Sequence, residues 1–227
     1  MSKFLLLETS TKNCSVALAQ DGKIIDAIDW APEKYSHSEK LHPCIDELLK
    51  RNRWQPADLN VVAVGKGPGS YTGLRIGVSA AKGLCYALNI PLISAGSLEI
   101  LARGIKANKG FIVPMIDARR MEAYTAVFDA AYRPVREIRA EILDENSFRE
   151  YLEQGPVFFA GDAVEKAKDV IRHPNAVFTE HVYPEARHML PVVREKWQRR
   201  AFEDIAYFEP FYLKEFIAKK KKNIFGQ

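Results

Sequence analysis

The apolar positions of the chain fall into short runs with two different periods. Residues 3–7, 14–19 and 23–30 are runs of strand length, and Asp21-Gly22 between the last two is a tight-hairpin signal. Leu41, Ile45, Leu48 and Leu49 then recur at helical spacing, with Ser36 or Ser38 as caps and Pro43 compatible only with a first turn. A buried strand at 61–64, a glycine-rich turn at 65–70, a helix over 71–88, a strand at 91–94 and a helix at 98–105 follow. From Phe111 the order restarts, with strands at 111–116, 123–128 and 135–142, a helix at 147–152, a strand at 157–160 and a helix at 164–171. Each half therefore reads strand, strand, strand, helix, strand, helix, offset by 107 residues from Phe4 to Phe111. This order predicts an α/β protein with a mixed sheet and flanking helices in each half, divided as 1–106 and 107–227 with 107–110 as the linker. After residue 175 the pattern weakens: 184–202 looks helical apart from Pro191, and 210–213 is a short extended piece before a basic tail.

Composition adds exclusions. With 47% hydrophobic and 27% charged residues, the 227-residue chain has globular averages and length enough for a real core. The net charge of +4 is concentrated in 214–222, which holds five lysines against Glu215, and the rest of the chain balances at 28 basic and 28 acidic residues. A neutral body gives no support to a protein that tracks nucleic acid by its own field. Cys14, Cys44 and Cys85 are odd in number and have no CxxC or metal-ligand spacing, which reads as free thiols in a reducing compartment. The first apolar run spans only residues 4–7, too short for a signal peptide, and no later stretch is long enough to cross a bilayer. The expectation is a cytoplasmic protein with no membrane partner.

The segment from Gly65 to Gly77, GKGPGSYTGLRIG, follows a strand and opens a helix, so its amides and the helix dipole could meet an anion. It ends in neither Gly-Lys-Ser nor Gly-Lys-Thr, Ser70 stands where a dinucleotide fingerprint needs its third glycine, and Pro68 occupies the first glycine position of a nucleophile elbow. A tight turn that lets the helix pack closely explains the same residues. Within the helix, Gly73, Gly77, Ala80 and Ala81 put small side chains at spacings of three and four, a face that admits a close neighbour. Each interior glycine costs about 1 kcal/mol relative to alanine. The compensating neighbour is either this chain's own sheet or another subunit.

The blocks Leu6-Leu7-Glu8-Thr9-Ser10-Thr11, Cys14-Ser15-Val16-Ala17-Leu18, His37-Ser38, Gly67 to Gly77, Asp117-Ala118-Arg119-Arg120 and Pro210-Phe211-Tyr212-Leu213 occur in this order in one family. The chain resembles the TsaB (YeaZ) family, the dimerization subunits of the bacterial tRNA threonylcarbamoyladenosine biosynthesis complex, over nearly its whole length. The resemblance implies the duplicated ribonuclease-H-like fold of the actin-like ATPase superfamily, in two lobes. It also implies a scaffold that binds the catalytic paralogue TsaD, with the ATPase TsaE joining them. That complex moves a threonylcarbamoyl group to the adenosine beside the anticodon of tRNAs reading A-starting codons. Contact with tRNA is expected only within the complex.

The same comparison argues against catalysis by this chain. Ser97 and Leu101 stand where the paralogue carries its His-x-x-x-His metal pair, and serine is a poor and leucine an impossible ligand. Glu8-Thr9-Ser10-Thr11 replaces the Asp-x-Gly-Thr phosphate turn, Ser10 taking the glycine's place, so a plain hairpin is the alternative there. No metal and no cofactor are expected in the isolated chain; ATP or ADP at the interface with the partner stays open. Glu8, Ser10, Thr11, Gly67, Gly69 and Ser70 are the candidates for such a nucleotide or anion loop. The expected partner surface is the helix pair 41–50 and 71–88, through Leu41, Ile45, Leu48, Gly73, Gly77, Ala80, Ala81 and Leu84, which would also make a homodimer when the partner is absent. On this placement, lysine at Ala80 or Leu84 disrupts both assemblies. His37 and His42 read as surface or capping residues, and Arg119 and Arg120 as salt-bridge partners of Glu122 or of the other lobe. Lys219–Lys222 read as a solvated end, or as an arm on tRNA phosphates. The rival class is an actin-like small-molecule kinase or a metallopeptidase-like enzyme.

Overall fold

Three strand-length runs joined by short turns satisfy their backbone groups most simply as an antiparallel meander. β1 (Lys3–Glu8), β2 (Cys14–Gln20) and β3 (Lys23–Trp30) do so, with Lys3 opposite Gln20 and Gln20 opposite Lys23. Asp21 and Gly22 take φ of +49° and +79°, the two left-handed residues that a two-residue hairpin turn requires. β4 (Val61–Gly65) pairs in parallel with β1, and β5 (Leu92–Ala95) in parallel with β4. Parallel neighbours need crossovers, supplied by α1 (His37–Arg51) and α2 (Tyr71–Leu88). The sheet order is β3-β2-β1-β4-β5. The structure, a computed structural model, describes residues 2–31, 37–181 and 183–214; Ser36 and the basic tail lie outside the described residues.

The second half repeats this topology. β6 (Phe111–Asp117), β7 (Glu122–Asp129) and β8 (Pro134–Ile142) form the meander, and β9 (Val157–Ala160) and β10 (Ala176–Phe178) extend it in parallel, in the order β10-β9-β6-β7-β8. Its helices are short, α4 (Arg149–Leu152) and α5 (Val164–Val170). The chain is thus a duplicated ribonuclease-H-like α/β fold. β10 escapes the sequence pattern because it is three residues long and leaves Val177 38% exposed, so it lacks the apolar run that marks β9.

Central strands read as continuous apolar runs because both faces of each sheet are covered. Leu5, Leu7, Val16, Leu18, Val62 and Val64 face α1 and α2. Phe4, Leu6, Ala17, Ala19, Val61 and Ala63 face the other way, onto α3 (Ser97–Ala102) and residues 186–193. This second face draws on residues from beyond the expected division at 106/107. Residues 1–106 do not supply enough apolar cover for it, so Ala186, Met189 and α6 (Leu190–Gln198) return from the second half, and Glu203 bridges to Leu92 on the edge strand. The helix α3 is shared: Ile100 joins the first lobe's core, while Leu98, Leu101 and Ala102 pack on Ile112, Ile116 and Ala160 of the second.

Two local expectations also change. Pro43 lies in the second turn of α1, past the position expected for it, and is tolerated because it sits on the helix's exposed side, where the carbonyl it leaves unbonded can meet water. His37 is buried at the start of α1, 3% exposed, rather than on the surface, whereas His42 is exposed. All three cysteines are free and buried, and burial pushes the Cys14 thiol up to about 12 and that of Cys85 to about 11.

Candidate functional site

The carboxyl ends of β1, β4 and β5 form the crevice where open α/β sheets place ligands. Here the loops at its floor are tied together by the chain itself. Glu8 is fully buried; its Oε1 accepts the Ser10 amide at 2.6 Å, its Oε2 accepts the Ser97 hydroxyl at 3.0 Å, and the carboxylate lies against Gly65 so closely that any side chain there would collide with it. Burial pushes the Glu8 carboxyl up, opposed by its hydrogen bonds from Ser10 and Ser97. Ser97 also accepts the Gly67 amide at 3.2 Å, and the Ser70 amide donates to the Ser10 carbonyl at 2.6 Å. The Ser70 hydroxyl caps α2 by accepting the Gly73 amide at 3.2 Å. The amides of Ser10, Gly67 and Ser70, expected to face an anion, are therefore committed to the lobe itself. Ser97 is a loop tie and Leu101 a core residue.

The small-residue face of α2, expected to meet a partner, packs within the chain. A Cβ on Gly73 would strike the Thr9 carbonyl oxygen and one on Gly77 the Thr9 hydroxyl, which donates to the Gly73 carbonyl at 2.8 Å. Leu41, Leu48 and Ala81 are fully buried, Ile45 and Ala80 nearly so, and Leu84 packs half-buried on the same core. What α2 leaves open is a different strip: Thr72, Ser79, Gly83 and Ala87 are exposed, Ile76 half-buried, and Tyr86 is 84% exposed. At 100° per residue these positions share one side of the helix. Gly83 has no atom within 4 Å of where its Cβ would stand.

A strap of the chain's own C-terminal region borders this strip. Lys82 donates to the carbonyls of Ala206 and Phe208 at 3.2 and 3.0 Å, and Arg75 donates to the Tyr212 hydroxyl at 3.1 Å while lying 4.2 Å from the Tyr71 ring. Tyr71 and Tyr212 are 4.9 Å apart, the Phe211 amide donates to the Lys66 carbonyl at 2.7 Å, and Lys214 reaches across to pair with Glu122. The strap residues escape the candidate positions read from sequence and are signalled there only by the Pro210 to Leu213 block, and Thr9 only by the Leu6 to Thr11 block.

Between the lobes lies a cleft of about 1280 Å³, lined on one side by Ser10, Thr11 and Ser70 and on the other by Asp117, Arg119 and Asp162. Asp162 accepts the Asp117 amide at 2.7 Å, and burial pushes its carboxyl up to about 6. Arg119 and Arg120 do not pair with Glu122. They occupy the β6–β7 turn with φ of +72° and +54°, and Lys166 and Lys214 supply the cations, to Asp117 and Glu122 respectively. No group of three or more potential metal-ligating side chains occurs among the described residues, and no helix there is long and apolar enough to cross a membrane.

Two lobes of one topology, sharing α3 and closed over a cleft, define a ribonuclease-H-like protein of the actin-like kind. The family described as "TsaD: tRNA N6-adenosine threonylcarbamoyltransferase" matches residues 31–222, and the chain belongs to this family, within its TsaB (YeaZ) group. The tRNA threonylcarbamoyladenosine biosynthesis protein TsaB of Escherichia coli (strain K12) is 28% identical over 96% of this chain and 97% of its own length. TsaB of Bacillus subtilis (strain 168) is 39% identical over 55% of this chain and 54% of its own. The crystal structure of YeaZ from Pseudomonas aeruginosa superposes with a TM-score of 0.81 at 26% identity, over 94% of this chain and 100% of that one. A second structure, described as having similarity to peptidase YEAZ from Pseudomonas aeruginosa, gives 0.83 at the same identity and coverage.

Proposed function

We propose that the chain serves tRNA threonylcarbamoyladenosine biosynthesis as a non-catalytic scaffold, holding the catalytic paralogue TsaD through the open side of α2. The observation that carries this reading is Gly83. A glycine in the middle of an 18-residue helix costs about 1 kcal/mol relative to alanine, and unlike Gly73 and Gly77 it meets nothing in its own chain. Together with Thr72, Ser79 and Ala87 it forms a floor low enough for another helix to approach closely, with Tyr86 beside it as an aromatic anchor. A surface of this shape can also receive a second copy of the chain, giving a homodimer when the paralogue is absent. The burial of Glu8 in hydrogen bonds to its own lobe and the core position of Leu101 support the absence of chemistry in this chain. A nucleotide, on this reading, binds only where the partner completes the site, and TsaE joins the assembled pair.

The test is reconstitution of tRNA threonylcarbamoylation from purified components. Omitting this chain should abolish or sharply reduce modification, and adding it back should restore it without metal or nucleotide turnover by the chain alone. Undiminished modification in its absence would refute the scaffold role.

A further inference from the structure

The two lobes are joined firmly along one seam. Leu98 and Leu101 of α3 pack on Ile112, Ile116 and Ala160 of the second lobe, and the Tyr132 hydroxyl donates to the Ile105 carbonyl at 2.8 Å. Where the chain crosses back to the first lobe, the Gly161 amide donates to the His181 carbonyl at 2.9 Å, and the His181 ring fills the space beside Gly104, where a side chain would strike it. Across the cleft the situation is different. Its walls carry Ser10, Thr11 and Ser70 on one side and Asp117, Arg119 and Asp162 on the other, groups that water can satisfy when the walls part. Lobes fastened along one seam and hydrated opposite it can swing about that seam unless something spans the mouth.

The strap spans it. The Glu203 amide donates to the Leu92 carbonyl, Lys82 holds the carbonyls of Ala206 and Phe208, the Phe211 amide donates to the Lys66 carbonyl and Arg75 holds the Tyr212 hydroxyl, so the strap is bound to the first lobe as far as residue 212. Two residues on, Lys214 pairs with Glu122 of the second lobe, and residues 211–214 border the cleft. The acceptor is set in place. The Lys166 ammonium donates to the carbonyls of Arg120 and Glu122 and to the Asp117 carboxylate, which fixes the β6–β7 turn and leaves the Glu122 carboxylate for Lys214. Both partners of the pair are partly exposed, so it is weak and screened by salt. We infer that the strap is a releasable latch: Lys214 on Glu122 holds the β6–β7 turn to the first lobe and keeps the cleft narrow, and loss of that pair lets the lobes swing apart about the α3 seam. Because Lys82 belongs to α2, the latch joins the width of the cleft to that helix, whether or not a partner sits on it.

Distances between spin labels test this on the full chain. The native cysteines are buried, so the labels go to cysteines introduced at Thr72 and Glu165, exposed residues that border the cleft from opposite lobes. In pulsed electron resonance, Lys214→Met should raise the share of longer distances about 2–5-fold, the range that an exposed ion pair commands, and Glu122→Gln should do the same. Lys214→Arg should keep the original distribution. Added salt should move the otherwise unsubstituted chain the same way as Lys214→Met and leave Lys214→Met unchanged. All three variants should stay folded, as for ordinary surface changes. A Lys214→Met distribution identical to the original would overturn the inference by showing that the seam alone sets the width of the cleft. An equal shift in Lys214→Arg would overturn it too, by assigning the effect to side-chain packing rather than to the ion pair.

Discussion

Replacing the three interior glycines of α2 with alanine, one at a time, separates the side of the helix that packs within the chain from the side left open. Alanine in place of a helical glycine gains about 1 kcal/mol from propensity alone. At Gly83 nothing offsets that gain, since no atom lies within 4 Å of the new methyl group. The isolated chain should therefore be stabilised by about 1 kcal/mol, or roughly 2–4 °C for a chain of this size. At Gly77 the methyl meets the Thr9 hydroxyl, which is fully buried and hydrogen-bonded to the Gly73 carbonyl at 2.8 Å. Overpacking of this kind costs about 1–3 kcal/mol and loss of the hydrogen bond about 1 kcal/mol more, so the net effect is a destabilisation of about 1–3 kcal/mol. Gly73→Ala should be worse, because its methyl meets the Thr9 backbone oxygen, which cannot rotate away. Urea unfolding followed by circular dichroism gives all three on one scale. Gly77→Ala as stable as Gly83→Ala would show that the face against Thr9 is not closely packed. The same Gly83→Ala protein should bind the paralogue more weakly although it is the more stable chain, a combination that loss of folding cannot produce.

Other outcomes follow from buried polar groups. Burial, with His181 and Arg187 adding to it, holds the His188 ring down at about 4 against an ordinary 6.5. The unfolded chain thus binds the extra proton first, and the stability is whole above pH 6.5 and lost as pH falls towards 4, by up to about 3 kcal/mol. Urea midpoints between pH 7.5 and 4.5 should show this slope flattened in His188→Gln; an unchanged slope would assign the acid sensitivity elsewhere. At Glu8, Glu8→Gln keeps an acceptor for the Ser10 amide and should cost under about 1 kcal/mol, whereas Glu8→Ala leaves that amide and the Ser97 hydroxyl buried without a partner, at about 2–4 kcal/mol. Equal denaturation midpoints for the two variants would mean that the carboxyl group is not the tie between the strand ends.

The strands of both sheets other than β10, and the helix α2, are legible in the sequence because their periods are set by local burial. The hairpin at Asp21-Gly22 is legible because its backbone angles demand those residues. What the sequence hides is long-range. Residues 186–193 carry an apolar pattern, but nothing local says that it covers a face of the first sheet, more than 90 positions earlier. The small residues of α2 illustrate the same limit. Gly73 and Gly77 look identical to Gly83 as helix glycines, and only the return of Thr9 beneath the first two shows that the third alone faces open space. Glu8 looks like a degraded phosphate turn in sequence, and its position shows that the carboxylate is buried and ties the strand-end loops together. The strap at 203–214 was visible as a short motif without a location, since its contacts to Lys82 and Arg75 join residues more than 120 positions apart.

The central claim is met most directly by sedimentation of the purified chain mixed with its catalytic paralogue, comparing the unsubstituted protein with Ser79→Lys. Ser79 is exposed on the open side of α2, so lysine there leaves the isolated chain folded and its melting temperature within about 1 °C, as for an ordinary surface change. The unsubstituted chain should sediment as a mixed particle, and Ser79→Lys as separate components. A mixed particle formed equally well by Ser79→Lys, or none formed by the unsubstituted chain, would contradict the account.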